Sequence, residues 1–209
     1  MNLPNILTLS RFVFAALLLI CLSFPFPFAK TLALLLFGMA TFTDWLDGQL
    51  ARKKYGVSDF GKLMDPLADK VLVMVALVCF VGLRFDLAYP AAPLVPAFLV
   101  APMLAREFMV TGLRLLAVEK GVVISAGPLG KWKTGLQMAA ILFTLLALAL
   151  VEDYLANLGE DTLKSLEFTL QWFIWFLMTG ATVLTVWSGA DYFIQNRHLI
   201  FPESPTDEN

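Results

Sequence analysis

The chain has 209 residues, 59% hydrophobic and 15% charged, with a mean hydropathy of +0.76 and a formal net charge of −2. A soluble domain sits nearer 45–50% apolar with about a quarter of its residues charged, so this composition excludes an ordinary water-soluble enzyme and predicts an all-α integral membrane protein. The net charge decides little by itself, because in a membrane chain the position of Lys and Arg matters more than their sum; no nucleic-acid partner is expected.

Six spans are predicted in chain order. The first covers about 3–23 and is closed by the FPFPF turn at 24–28. The second runs over 29–55, longer than the hydrocarbon requires, so its last two turns should project towards water. Gly56 and the Ser58-Asp59 pair read as a turn and helix N-cap. Span three covers 60–83, and a proline-rich loop at 84–96 leads to span four at 97–119. A second loop at 120–129 precedes span five at 130–151. The acidic segment EDYLANLGEDTLKSLE reads as a polar connection, and span six takes up at 168–196. One membrane domain over 1–199 with a polar tail at 200–209 accounts for the whole sequence. Cys21 and Cys79 lie in apolar runs with no disulfide or zinc spacing and read as small buried hydrophobes. The start, MNLPNILTLSR, has no basic n-region and no small-residue cleavage site, so no removed signal peptide is expected.

Six spans place both termini on one side. That side holds Arg11, Arg52, Lys53, Lys54, Lys62, Lys70, Arg106, Arg114, Lys120, Lys131, Lys133 and Arg197, against Lys30, Arg84 and Lys164 on the other. The asymmetry predicts that both termini face the cytoplasm. Trp132, Trp187 and Tyr192 read as interfacial aromatics, Trp172 and Trp175 as residues that anchor or pack span six, and His198 as a tail residue without a chemical role.

Five aspartates interrupt this lipid-soluble sequence within DWLDGQLARKKYGVSDFGKLMDPLAD, residues 44–69, and four of them, Asp44, Asp47, Asp65 and Asp69, fall on two helix stripes. At about 100° per residue, Asp44, Asp47, Gly48, Ala51 and Arg52 share one helix face. Gly61, Asp65 and Asp69 recur every four residues as a stripe on the next span. A short turn between the spans allows the stripes to face each other. Like charges so placed repel, and ionised groups near a bilayer are costly, so a cation is required among them. Oxygen-only donors suit Mg2+ or Mn2+, and that much charge suits two ions. The missing side-chain bulk at Gly48, Ala51 and Gly61 leaves a cleft for a guest, and a guest drawn to such ions is most often a phosphate or pyrophosphate. Pro66 removes a backbone hydrogen bond beside Asp65. Surface carboxylates paired with Lys53, Lys54, Lys62 and Lys70 are the bland alternative, which the two glycine-interleaved stripes disfavour.

The pattern D-x2-D-G-x2-A-R-x8-G-x3-D-x3-D, filled by Asp44, Asp47, Gly48, Ala51, Arg52, Gly61, Asp65 and Asp69, resembles the signature of the CDP-alcohol phosphotransferases. The resemblance implies a six-helix membrane enzyme, usually a homodimer, with the active site at the cytoplasmic end of helices 2 and 3. It implies that Asp44, Asp47 and Asp65 ligate the metals with Asp69 in or beside the same set, and that Asp69 is the general base. Gly48, Ala51, Arg52 and Gly61, with Asn5 and Thr8 of the N-terminal stretch, would line the CDP pocket.

Three further stretches, NLPNILTLSR at 2–11, AREFMVTGLR at 105–114 and GKWKT at 130–134, resemble the bacterial phosphatidylglycerophosphate synthases. That likeness implies an enzyme of the bacterial inner membrane acting on CDP-diacylglycerol and glycerol 3-phosphate. Charge points the same way: Arg106 and Arg114 lie two turns apart on span four, and Lys131 and Lys133 begin span five on the same side. Such a cationic pocket suits an acceptor that carries a phosphate, although the same residues also satisfy positive-inside topology and lipid-headgroup contact.

Rival readings are a cardiolipin, phosphatidylinositol phosphate or phosphatidylserine synthase with the same metal site, a membrane prenyltransferase, and an ion-coupled transporter. A transporter would place its acids nearer the bilayer midplane, and a prenyltransferase lacks the A-R-x8-G connection.

Overall fold

The computed structural model describes residues 3–50, 59–88, 91–119, 121–122 and 128–196, and among these, apolar side chains recurring every three to four residues build six α-helices. The side chains of 3–8, 44–50, 59–69, 128–129 and 131 lie outside that description, as does the expected turn and cap at 56–58. The helices are α1 (Leu3–Ser23), α2 (Ala29–Leu50), α3 (Asp59–Gly82), α4 (Ala97–Glu119), α5 (Pro128–Leu148) and α6 (Glu160–Gln195). Among the described residues there is no strand.

Each helix turns one stripe inward. Leu18, Leu22, Ala33, Phe37, Ala76, Leu77, Phe80, Met103, Ile141, Leu145, Ile174 and Met178 form one continuous core. Helix α1 packs against both α2 and α3, while α6 packs against α4 and α5. The outward faces are also apolar: Phe98, Phe176, Trp187 and Val183 are exposed, as are Phe42, Met39 and Ile194. A helix that is hydrophobic all round needs a nonpolar surrounding as well as a core. By length and composition two segments among the described residues, Trp132–Tyr154 and Glu160–Gln195, suffice to cross a bilayer, and Leu9–Ser23, Ala29–Thr43 and Lys70–Gly82 are shorter apolar stretches.

The expected bounds of α1 and α4 match, and Cys21 and Cys79 are free thiols packed in or against the core. Helix α4 ends in a Schellman motif: Val122 N–H donates to Ala117 C=O at 2.8 Å and Gly121 N–H to Val118 C=O at 3.0 Å. Gly121 supplies the left-handed φ of 72° that this stop requires.

The acidic segment after span five departs from expectation, because most of it is helical. A π-helical turn, Ala149–Tyr154, extends α5, and α6 begins at Glu160, eight residues before the expected position. Glu160 and Asp161 in the first turn of α6 favour a helix start through the positive end of its dipole. Asp153, on the π turn, accepts hydrogen bonds from Thr31 N–H (2.6 Å) and Thr31 Oγ1 (2.7 Å) in the first turn of α2. Lys30 reaches Leu22 C=O and, at 3.6 Å, Glu152.

Glu167, expected in a connection, is a buried residue of α6 whose Oε2 accepts the backbone N–H groups of Leu87 (2.9 Å) and Ala88 (2.8 Å). Gln171 and Trp175 both donate to Leu94 C=O, so α6 clamps the α3–α4 loop along three turns. One end of the bundle is thus tied by Asp153, Glu152 and Glu167. Residues 44–50 close α2 at the other end, where α3 begins.

Candidate active site

Four helices meet in a charged cluster at that second end, and its centre is Glu107 on α4. Lys70 of α3 lies 2.8 Å from Glu107 Oε2, Lys133 of α5 contacts Oε1, and Arg106 Nη1 stands 3.3 Å from the same Oε1. Lys70 also donates to Glu107 C=O at 3.2 Å and to the Thr111 hydroxyl, which itself donates to Glu107 C=O at 2.7 Å. The Lys133 side chain is only 4% exposed and that of Glu107 11%. Charges that far from water persist only when paired and hydrogen-bonded.

Helix α6 seats the arginines. Arg106 Nη2 donates to Ser188 Oγ at 2.9 Å, and its stem lies on Gly189, where a Cβ would come within 2.7 Å of Arg106 Cγ. Arg106 Nε is buried and without a hydrogen-bond partner among the described residues. Two turns further along α4, Arg114 Nε donates to the Tyr192 hydroxyl at 3.3 Å, with the guanidinium 5.6 Å from the ring centroid. Tyr192 is therefore a buried residue packed with Val110, Leu113 and Ala117, not the interfacial aromatic its position suggested. Trp132 and Trp187 are exposed as expected.

Beside the cluster lies a cavity of about 190 Å³. Lys70, Glu107, Lys133 and buried Gln137 line one part, and Val73, Met74, Leu104 and Met138 the other. Polar groups converging on a partly apolar hollow are what a small ligand needs for orientation and hold.

Of the residues singled out for an acceptor phosphate, Arg106 and Lys133 come together. Arg114 sits two turns along α4 on its own tyrosine, and the Lys131 side chain lies outside the described residues. Lys70, Thr111, Ser188 and Gly189 join the cluster without having been expected there. Their signal is tertiary, since each comes from a different stretch or turn of the chain.

Asp44, Asp47 and Gly48 lie on the last turns of α2, and Gly61, Asp65 and Asp69 on the first half of α3, whose helix continues past Pro66. Helical backbone gives the two pairs the spacings, three and four residues, that put each pair on one face. Their side chains, and those of Asn5 and Thr8, lie outside the described residues, as do Ala51 and Arg52 altogether. An all-carboxylate donor set of this kind fits a hard divalent ion.

A sequence profile described as CDP-alcohol phosphatidyltransferase matches residues 1–187. The CDP-diacylglycerol–glycerol-3-phosphate 3-phosphatidyltransferase of Bacillus subtilis (strain 168) is 42% identical over 157 residues, 69% of this chain and 77% of its own. A protein of the same name from Sodalis glossinidius (strain morsitans) is 33% identical over 203 residues, 96% of this chain and 98% of its own. Another from Rickettsia bellii (strain RML369-C) is 38% identical over 140 residues, 67% and 72% of the two chains.

Proposed function

Because the chain belongs to the CDP-alcohol phosphatidyltransferase family, we propose that it transfers the phosphatidyl group of CDP-diacylglycerol to the C1 hydroxyl of glycerol 3-phosphate, giving phosphatidylglycerophosphate and CMP. The observation that supports this acceptor best is the gathering of Lys70, Arg106 and Lys133 around a single carboxylate at the end of the bundle where the aspartate-bearing turns of α2 and α3 lie. Cationic side chains gathered at one place match an acceptor that carries a phosphate.

In this reading Asp44, Asp47, Asp65 and Asp69 hold Mg2+ or Mn2+, two ions in all, and Asn5, Thr8, Gly48, Ala51, Arg52 and Gly61 line the CDP pocket. The ions would supply charge neutralisation for the pyrophosphate and the departing CMP. Asp69 accepts the proton of the C1 hydroxyl, whose oxygen attacks the phosphorus bearing diacylglycerol as the bond from that phosphorus to CMP breaks. Arg106 and Lys133, with Arg114 and Lys131 alongside, hold the acceptor's phosphate. The work is positioning and charge stabilisation, so no protein nucleophile is required. Six spans, cytoplasmic termini, a cytoplasmic-facing site in the bacterial inner membrane, a single domain and a homodimer complete the proposal. The positive-inside asymmetry and the apolar outer faces support the membrane part of it.

The test is to give the purified protein CDP-diacylglycerol with a panel of alcohols and follow CMP release. Release with glycerol 3-phosphate is expected; release only with inositol phosphate, serine or phosphatidylglycerol would overturn the acceptor assignment.

A further inference from the structure

Glu107 is an unusual residue for a site that must attract an anion. It is buried, it lies within the cationic cluster, and its charge opposes that of a phosphate. Its contacts suggest a reason. Lys70, Arg106 and Lys133 arrive from three helices, and like charges brought this close repel unless an anion sits between them. One carboxylate with two oxygens divides them: Oε2 takes Lys70, while Oε1 takes Lys133 and Arg106. Its backbone carbonyl holds Lys70 a second time, and the Thr111 hydroxyl closes the same ring.

We infer that Glu107 is the positioning residue of the acceptor site: it fixes the Lys70 and Lys133 ammonium groups at one wall of the cavity between α3, α4 and α5 and holds the Arg106 guanidinium beside them, acting on the acceptor through these cations. The inference rests on the acceptor being glycerol 3-phosphate. It also gives Lys70 a place in that wall and ties the acceptor site to α3 at the residue next to Asp69, so that the phosphate and the reacting hydroxyl are registered against one rigid element.

Two opposite outcomes are possible when Glu107 becomes Gln. If the carboxylate merely dilutes the positive field, its loss should tighten the anion; if it orders the cations, its loss should scatter them and weaken binding. The experiment measures CMP release by the full-length protein in mixed micelles, with glycerol 3-phosphate and CDP-diacylglycerol varied in turn, for the wild type, Glu107→Gln, Glu107→Asp and Thr111→Val. Glu107→Gln is expected to raise KM for glycerol 3-phosphate about tenfold or more, with kcat within about threefold and KM for CDP-diacylglycerol unchanged. Glu107→Asp should recover part of the loss. Thr111→Val, which removes only a tether on Lys70 and keeps the ion pairs, should raise the same KM by about threefold with an unaltered melting curve, and provides the reading if Glu107→Gln does not fold. An unchanged or lowered KM in Glu107→Gln, or in Thr111→Val where that variant alone is folded, would overturn the assignment. A wild-type protein that releases no CMP with glycerol 3-phosphate would instead overturn the acceptor on which it rests.

Discussion

Gly189 of α6 lies directly against the stem of Arg106 on α4, so close that a Cβ would stand 2.7 Å from Arg106 Cγ. Cγ is the near end of that side chain and cannot swing clear without a change of χ1. An alanine in place of a helical glycine otherwise stabilises by about 0.5–1 kcal/mol. The forced rotamer change outweighs that gain, so Gly189→Ala is expected to lower the melting temperature by a few degrees and to raise KM for glycerol 3-phosphate roughly fivefold. Equal KM values in a side-by-side titration would show that the contact does not set Arg106.

Arg106→Ala should act mainly on the same KM, raising it by about tenfold or more with a smaller change in kcat. Arg106→Lys should not restore it, because a single ammonium cannot replace a planar fork that reaches Glu107 and Ser188 from separate nitrogens. Initial rates over a range of acceptor concentrations decide both points.

Asp69→Asn tests the proposed base. The variant should still bind CDP-diacylglycerol, as followed by equilibrium binding of the labelled nucleotide lipid, and should turn over at least about a hundredfold more slowly. Activity within tenfold of the wild type would remove Asp69 from that role.

Removal of divalent ions by a chelator should abolish CMP release, and adding back Mg2+ or Mn2+ should restore it, since cleaving the pyrophosphate link without charge neutralisation loses its chief source of acceleration. Asp44→Ala and Asp47→Ala should not recover at any ion concentration that restores the wild type. Full activity in chelator would refute the metal reading.

At the far end, Glu167→Ala deprives the Leu87 and Ala88 amides of their shared acceptor, a loss of about 3 kcal/mol for two groups left without a partner. The melting temperature in detergent should fall by several degrees, with kcat and both KM values of the folded protein unchanged. A shift in KM for either substrate would connect this clamp to catalysis.

Most of the helical frame was legible because long apolar runs ended by Pro and Gly leave few alternatives, as at Ala97–Glu119 with its Gly121 stop. The start of α6 was not, because Glu160 to Glu167 has the composition of a loop, and only the contact with Leu87 and Ala88 explains why an acid belongs inside. The aspartate pattern was readable from spacing on a helix, whereas the acceptor cluster was readable only in part. Arg106 and Lys133 stood out as charges near a span end, but Lys70, Thr111, Ser188 and Gly189 gain their meaning from neighbours more than thirty residues away. Tyr192 was misread for a related reason: an aromatic near a helix end resembles a headgroup anchor until the arginine lying over its ring is seen.

The 36 residues of α6 make a rod of roughly 54 Å at about 1.5 Å per residue, against a hydrocarbon layer of about 30 Å. If α6 crosses the bilayer as proposed, tilt absorbs part of the difference and the rest stands clear of the lipid as a stiff mast bearing exposed Lys164, its foot braced on the α3–α4 loop by Glu167. A dye or cross-linker fixed to Lys164 would thus report the orientation of the whole bundle from the face remote from the reacting groups, leaving catalysis undisturbed.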